Sequence, residues 1–340
     1  MSGFDARVWL GWVLAAAVVT IVARNPLYTL LVLLASRLVD AVWGRPDSHL
    51  QLPLLRFGVL VLLFSAAFNG LFVHRGETVL LRLPAGWPLL GGPVTLESLL
   101  YGAHNGLILL TLLSLFAAFN RIVPAHALVR LTPRSFHDLG VVLLIALTYV
   151  PETLHHLQRV REAQAIRGHR LQSLRDWRPI AIPLLVGGLE RAMGVAEAMV
   201  ARGYGATAGR RQEPRLLAGL ALGLALAFGG WLLLLWQRRL GWLLLAAGIV
   251  LLVSLLWRSG RRTHHTRYRP RPWHTADTAL LLASAVPLLL VVSPWPIVDS
   301  ASLNYTPYPR LHLPPFDPLL GIALTLFAIP AVGPIKDDYD

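Results

Sequence analysis

The chain contains no cysteine and only one lysine, Lys336, among 340 residues. The lack of cysteine excludes disulfides, thiol catalysis and cysteine-ligated metals. Charge is also scarce, since 14% of the residues are Asp, Glu, Lys or Arg, whereas 55% are hydrophobic and the mean hydropathy is +0.57. This composition lies outside the range of soluble globular domains and predicts an integral membrane protein.

Several catalytic motifs are missing as well. The sequence has no His-Glu-x-x-His, no Walker A loop and no Gly-x-Ser-x-Gly, so zincins, ATPases and serine hydrolases lack their minimal parts. Glu152 and His155 have the Glu-x-x-His spacing of carboxylate metal sites, and His156 follows them. Such sites need a second Glu-x-x-His beside further glutamates, and the sequence contains no second Glu-x-x-His. We therefore predict no catalytic residue, no metal and no cofactor, and place these three residues at the water-facing end of a helix.

Long apolar segments dominate what is present. Crossing a bilayer takes about 18 or more predominantly apolar residues. The candidates are residues 8–24, 27–43, 52–73, 97–119, 217–236, 240–257, 275–293 and 317–331. We expect an all-α integral membrane protein with about six to eight transmembrane helices. No cleaved signal peptide is expected, because the first apolar run leads directly into further hydrophobic sequence.

Residues 121–215 differ from the rest of the chain. Their apolar runs, 140–151 and 179–189, are short and bracketed by charge, which is typical of interfacial, re-entrant or protein-buried helices. We predict three helices in this segment, near residues 126–131, 135–167 and 179–202. The two longer ones begin apolar and become polar toward their C-terminal ends.

The distribution of arginine predicts the orientation. If residues 121–215 stay on one side, their basic stretches lie on the same side as the arginine-rich loop 258–274. Cytoplasmic loops carry the excess of positive charge, so this side and both termini are predicted to be cytoplasmic, and residues 74–96 and 294–316 form the outer loops. The basic charge then reflects membrane topology, and we predict no nucleic-acid partner. The predicted divisions are N-terminal transmembrane helices (1–120), a cytoplasmic helical segment (121–215) and C-terminal transmembrane helices (216–340).

The two longer helices of this segment end in the same pattern, Glu-Ala-x-x-x-Arg-Gly. It runs from Glu162 to Arg167-Gly168 and from Glu197 to Arg202-Gly203. Glycine is favoured just past a helix because it adopts the left-handed conformation, and arginine in the last turn interacts favourably with the helix dipole. The repetition indicates more than local capping: it favours paired use of the arginines on one soluble surface. The planar guanidinium can bind carboxylates or helix-end carbonyls of a partner.

These residues carry a family resemblance. RVREAQAIRGHR and AEAMVARGYG resemble the paired Ala-Arg-Gly motifs of the transmembrane T component of energy-coupling factor transporters, a family that includes the membrane subunit of cobalt and nickel uptake systems. The preceding segment, LTPRSFHDLGVVLLIALTYVPETLHHLQRVREAQ, is similar to the family's short helix followed by a long apolar helix with a central proline. The resemblance covers about residues 97–260. The first motif has Ile166 where the family usually has alanine, whereas the second conforms.

The resemblance implies a function. The chain would be the energy-coupling subunit of an importer for vitamins or transition-metal ions in the bacterial cell membrane, and it would not itself be an enzyme. The ends of the two long helices would dock on two ATP-binding cassette ATPase subunits, which hold the ATPase activity. A small substrate-binding membrane protein would contact the helices at Leu185 and Val186. The residues implied in ATPase docking are Glu162, Arg167, Gly168, Glu197, Ala201, Arg202 and Gly203.

Two alternatives belong to other functional classes. An autonomous permease or channel would need polar residues along a pore, and an intramembrane enzyme would need clustered titratable groups. Intramembrane charge is scarce here. Arg37 and Asp40, late in the second apolar segment, are spaced at i and i+3 and are expected to form a local ion pair. These observations favour the energy-coupling subunit over both alternatives.

The topology can be tested directly because the chain lacks cysteine. Single cysteines introduced at Ser135, Ser173, Thr207 and Thr263 should react with membrane-impermeant reagents only from the cytoplasmic side, and one at Ser300 only from outside. Labelling of Ser173 from outside would show that residues 139–154 cross the membrane, and it would contradict the cytoplasmic placement of residues 121–215.

Overall fold

A computed structural model describes residues 3–44, 54–84, 91–133, 136–168, 174–204, 214–261, 272–293 and 299–332 of the chain. The labelling positions Ser135, Ser173, Thr207 and Thr263 lie outside these ranges. The chain forms two compact units. Unit 1 comprises Met1–Leu128 and Arg269–Asp340, and unit 2 comprises Val129–Tyr268.

Unit 1 is helical, with one small two-stranded ribbon among its described residues. Its helices are α1 (Ala6–Val22), α2 (Pro26–Trp43), α3 (Leu54–Phe72), α4 (Leu96–Ile122), α5 (Ala125–Val129, at the boundary), α10 (Thr275–Val292), α11 (Ser300–Leu303) and α12 (Pro318–Thr325). A 3₁₀ stretch, Leu326–Ala331, continues α12. The ribbon pairs β1 (Val79–Arg82) with β2 (Pro93–Thr95) in antiparallel orientation. The all-α class and the existence of these apolar helices are therefore confirmed.

The termini of unit 1's helices alternate between two ends. At one end, the Tyr305 amide donates to the Arg24 carbonyl (2.9 Å) and the Glu77 amide to the Pro309 carbonyl (3.2 Å). At the other, the Asp5 amide donates to Asp277 Oδ1 (3.0 Å). Described residues of the predicted outer loops 74–96 and 294–316, namely Glu77, Tyr305 and Pro309, therefore lie at the same end of unit 1. Which end faces the cytoplasm stays a prediction.

Polar side chains connect the C-terminal helices of unit 1 to the N-terminal ones. Asn25, fully buried, caps α2 by accepting from the Leu27 amide and donates to the carbonyls of Ser302 (2.8 Å) and Pro315 (2.7 Å). The buried indole of Trp12 donates to the Phe327 carbonyl (3.0 Å). Residues from both ends of the sequence therefore share one core.

The local ion pair in α2 is confirmed, and the structure adds a second partner. Arg37 contacts Asp40 at 3.0 Å, but Arg121, at the end of α4, binds both carboxylate oxygens of Asp40 at 2.7 and 2.9 Å. Asp40 is 2% exposed, and Arg37 is far more exposed than Arg121. The pair with Arg121 is consequently the one that connects two helices, because exposed pairs contribute little.

Unit 2 contains the segment that bears the repeated motif. Its helices are α6 (His137–Ile166), α7 (Arg178–Ala201), α8 (Pro214–Leu233) and α9 (Arg238–Arg261). Helices α8 and α9 form a hairpin in which glycines permit close backbone approach: a Cβ at Gly248 would lie 2.5 Å from the Ala227 amide nitrogen. Small residues at such positions are typical of helix packing in membranes.

Seven helices within the described ranges are long and apolar enough to cross a membrane: α2, α4, α6, α7, α8, α9 and α10. The sequence predicted that the apolar runs of α6 and α7 are too short to cross a membrane, whereas both helices belong to this set. Their apolar runs are short, but each run continues into a helix, of 30 and 24 residues respectively. Length alone therefore does not exclude a membrane crossing, and the cytoplasmic placement of these helices stays a prediction.

Candidate functional site: two arginine-bearing helix ends

The two Arg-Gly motifs end their helices with nearly the same backbone conformation. Arg167 follows α6 with φ −78° and ψ 6°, and Arg202 follows α7 with φ −87° and ψ 5°. The next residues, Gly168 and Gly203, have φ of +82° and +81°. This left-handed conformation is costly for residues with a Cβ, which explains why glycine occupies both positions.

Hydrogen bonds confirm the capping predicted from sequence. At the end of α7, the Gly203 amide donates to the Val200 carbonyl and the Tyr204 amide to the Met199 carbonyl, both at 2.9 Å. Together they form a Schellman motif. At the end of α6, the Gly168 amide donates to the Ala165 carbonyl at 2.9 Å. A Cβ added at either glycine would meet no atom within 4 Å, so backbone conformation rather than packing selects glycine.

The side chains at both ends are exposed. Arg167, Arg202, Ala201, Glu162 and Glu197 all lie at the surface. Within the described ranges, no ion pair or hydrogen bond engages either guanidinium. Their donors are available to a carboxylate or carbonyl of another molecule.

The residue before each arginine distinguishes the two ends. Ile166 is 88% exposed, and its counterpart in the second motif is Ala201. The isoleucine that departs from the family pattern therefore displaces no core residue of this chain.

Helices α6 and α7 pack in antiparallel orientation. The Tyr149 hydroxyl donates to the Arg191 carbonyl (3.0 Å), whereas Gln164, later in α6, donates to the carbonyl of Pro179, at the start of α7 (3.4 Å). Because the contacts run in opposite directions along the two helices, the two Arg-Gly ends point away from each other. The structure thus does not bring the arginines together.

A polar cluster joins the two helices at their contact. Arg191 donates to Glu152 Oε1 (3.3 Å) and lies 2.8 Å from His156 Nδ1. Its Nε also donates to the Gly187 carbonyl (3.1 Å), and Arg159 reaches Glu152 from within α6 (3.1 Å). A guanidinium can only donate, so Nδ1 of His156 must accept and its proton is on Nε2. We call Tyr149, Glu152, His156 and Arg191 the joint.

The joint lies equally far from both ends. Arg167 follows His156 by eleven residues (156 to 167), and Arg202 follows Arg191 by eleven (191 to 202). At 1.5 Å per residue, each arginine lies about 16 Å beyond the joint along its helix. The two guanidinium-bearing ends are therefore separated by a distance of the order of 30 Å.

The joint also accounts for the residues considered as metal ligands. Glu152 and His156 are bound by Arg191, and His155 is exposed. The sequence predicted these residues at the water-facing end of a helix, but it did not predict Arg191 as the partner of Glu152 and His156. A signal was available in Gly187, which permits close helix approach: a Cβ there would lie 2.5 Å from the His156 ring.

The outer faces of α6 and α7 are apolar and exposed. Leu185 is 72% exposed and Val186 51%, so both predicted contact residues lie at the surface. Other exposed apolar side chains on the pair are Val142, Leu143, Leu144, Leu147, Ile182 and Leu189. Exposed apolar side chains of this kind are typical of contact with another protein or with lipid.

Comparison with known proteins agrees with these features. Residues 1–214 match the model of the family described as CbiQ, cobalt transport protein. The energy-coupling factor transporter transmembrane protein EcfT of Streptococcus thermophilus is 29% identical over 197 residues, covering 50% of this chain and 72% of that protein. The protein of the same name from Brevibacillus brevis is 26% identical over 224 residues, covering 62% and 83%. The chain belongs to the CbiQ family, the transmembrane components of energy-coupling factor transporters.

The joint gives a testable prediction. Arg191→Ala removes the donor shared by Glu152 and His156, and should destabilise the α6–α7 contact by roughly 1–2 kcal/mol, given partial exposure of the group. Spin labels on single cysteines at Ala163 and Ala198 should then show a broader distance distribution in pulsed electron resonance than in the parent.

Arg159→Ala is the matched control, because it removes the more exposed partner of Glu152 and leaves Arg191 in place. Its distribution should stay narrow. An unchanged distribution in Arg191→Ala would show that the cluster does not hold the helices together.

Proposed function

We propose that this chain couples ATP hydrolysis by two ATP-binding cassette ATPase subunits to a small substrate-binding membrane protein, for uptake of a vitamin or a transition-metal ion. The observation that carries the proposal is the pair of matched helix ends, each presenting an exposed arginine before a left-handed glycine. The ATPase activity resides in the partner subunits. Residues 121–215, containing both ends, lie on the cytoplasmic side.

The separation of the arginines supports two docking events rather than one. A distance of the order of 30 Å is too large for both guanidinium groups to enter a single groove. Each end, with Glu162 or Glu197 five residues earlier, therefore docks on a different ATPase subunit. Closure of the two ATPases on ATP then moves both ends, and the joint transmits the motion from one helix to the other.

The exposed apolar side chains of α7 support the proposal that the substrate-binding protein contacts this helix. Leu185 and Val186 lie on the side of α7 away from the joint, where nothing in the described ranges covers them. Leu185 precedes Arg202 by 17 residues (185 to 202), or about 25 Å along the helix. One surface can thus contact the membrane partner while the helix end contacts an ATPase.

The buried acidic groups of unit 1 argue against an autonomous permease. Glu97 Oε1 accepts from the Thr78 amide (3.0 Å), and Asp277 accepts from the amides of Asp5 and His274 (3.0 Å each). Asp40 binds Arg121. Each of these carboxylates binds a backbone amide or an arginine near a helix end. None of the three is free to line a substrate path through unit 1.

The arginines provide the first test. Arg167→Ala or Arg202→Ala should remove charge-assisted hydrogen bonds of about 1.5–3 kcal/mol. Affinity for the ATPases should fall roughly ten- to a hundred-fold per substitution, and the double change should nearly abolish uptake. Arginine to lysine should restore only part of the affinity, because lysine lacks the planar fork. Co-purification of the ATPases and substrate uptake are the measurements.

Arg161→Ala is the matched control for this test. Arg161 is an exposed arginine six residues before Arg167 on the same helix, and its loss should leave both readouts near the parent level. Full uptake by the Arg167/Arg202 double variant at normal expression would contradict the docking proposal.

The apolar face provides the second test. Leu185→Glu or Val186→Glu should weaken co-purification of the substrate-binding protein while the ATPases stay bound, because the two contacts are about 25 Å apart. Leu185→Met keeps the apolar surface and is the control.

Two results would contradict this assignment. Loss of both partners together with expression would show that the face is internal or required for membrane insertion. Retention of both partners with normal uptake would show that the substrate-binding protein binds elsewhere.

A further inference from the structure

Helix α2 carries a row of exposed leucines along one side. Spacings of three and four residues place Leu27, Leu30, Leu34 and Leu38 on one face of the helix, and all four are exposed. We call these four residues the leucine stripe. It extends over 11 residues (27 to 38), or about 16 Å. Because α2 is long and apolar enough to cross a membrane, the stripe of the chain by itself faces hydrocarbon over a length that an acyl chain can cover.

An exposed arginine borders the leucine stripe. Helix α2 contains two charged residues, Arg37 and Asp40, and 46% of the Arg37 side chain is exposed whereas Asp40 is buried. With 3.6 residues in each turn, Arg37 lies around the helix between the leucine stripe and Asp40. A charged residue within a membrane-crossing helix is costly, and it usually marks a function. Arg37 therefore needs an explanation beyond the apolar surface beside it.

The ion pair with Asp40 does not supply that explanation. Both oxygens of Asp40 already accept from Nη1 of Arg121, at 2.7 and 2.9 Å. Arg37 donates to Asp40 through its own Nη1 at 3.0 Å, and within the described ranges its Nε and Nη2 have no hydrogen bond. An exposed pair at i and i+3 contributes little. Arg37 consequently has donors left for an anion from outside the chain.

The direction of the Arg37 side chain suits an anion at the membrane surface. Helical side chains normally lean toward the N-terminal end, but the contact with Asp40 holds the Arg37 guanidinium toward the C-terminal end of α2. Trp43, three residues beyond Asp40, ends the helix, and its indole donates to the Pro330 carbonyl (2.7 Å). Tryptophan is enriched at the level of the lipid headgroups. The guanidinium therefore lies within about 5 Å of that level along the helix.

We propose that Arg37 binds the phosphate of an anionic phospholipid, one of whose acyl chains lies along the leucine stripe. Charge complementarity identifies this occupant, because a guanidinium forms paired hydrogen bonds with phosphate oxygens. An anionic phospholipid brings a phosphate for the cation near the helix end and an apolar chain for the leucines in one molecule. The site is separate from the Arg-Gly ends. It does not depend on the proposed coupling function or on which end of unit 1 faces the cytoplasm.

Native mass spectrometry of the full chain, titrated separately with phosphatidylglycerol and phosphatidylcholine of the same acyl chains, tests the site. Phosphatidylglycerol carries a net negative charge, whereas choline balances the phosphate in the second lipid. We expect the first phosphatidylglycerol to bind with a Kd about five-fold lower than phosphatidylcholine, the preference that one arginine near the membrane surface gives. Arg37→Gln should bind both lipids equally. Arg37→Lys should keep part of the preference, because lysine keeps the charge but lacks the planar fork.

Arg7→Gln is the matched control. Arg7 is an exposed arginine of α1 at the same end of unit 1, where the rings of Phe4 and Trp43 lie 5.6 Å apart, and its loss should leave the five-fold preference intact. The affinity for phosphatidylcholine should be the same in Arg37→Gln as in the parent, because Asp40 keeps its contact with Arg121 and the fold is retained.

Three results would overturn the proposal. Equal loss of preference in Arg7→Gln and Arg37→Gln would show general attraction of a basic protein end for anionic lipid. Displacement of phosphatidylglycerol by inorganic phosphate would show a site for a soluble anion. No preference for phosphatidylglycerol in the parent chain would favour a partner protein as the occupant of the leucine stripe.

Discussion

An apolar chain with few charges must give each buried polar group a partner, and this constraint explains much of the structure. In unit 1, Asn25, Asp277 and Glu97 bind backbone amides or carbonyls at helix ends, where such groups lack intrahelical partners. These contacts connect segments far apart in sequence. In unit 2, Arg191 has the same role between α6 and α7. Among the described residues, the exceptions are Trp9 Nε1, His104 Nε2 and the Tyr308 hydroxyl, which are buried without a hydrogen-bond partner.

The helices and their ends could be predicted from the sequence because their signals are local. Apolar runs located the helices, and the Arg-Gly pairs located the ends of α6 and α7. The left-handed glycines follow from the same signal, since few other residues tolerate φ near +80°.

Contacts between helices were harder to predict from the sequence, because they depend on tertiary packing rather than on the spacing of residues along one helix. The pairing of Asp40 with Arg37 was visible at i and i+3, but Arg121 is 81 residues from Asp40. Likewise, the sequence favoured a common surface for the two arginines. The antiparallel packing of α6 and α7, which separates them, places Arg191 and Gly187 against His156. Helix α6 is also longer, at 30 residues, than the apolar run 140–151 within it.

The family match and the compact units divide the chain differently. The match ends at residue 214, yet α10 and α12 share a core with α1 and α2. Residues after the matched region are therefore structural members of unit 1. The α8–α9 hairpin, with its close glycine contact, belongs to unit 2 and also lies beyond the match.

The near identity of the two helix ends has a consequence for the genetics of the partners. If each end docks on an ATPase subunit, as proposed, the shared backbone conformation lets one groove shape accept either end, and two copies of a single ATPase chain would suffice. Two different ATPase chains would need to discriminate between the ends by side chains alone. The bulkiest difference beside the arginines is Ile166 against Ala201, so a pocket or a bulge facing that position would decide which ATPase takes which end.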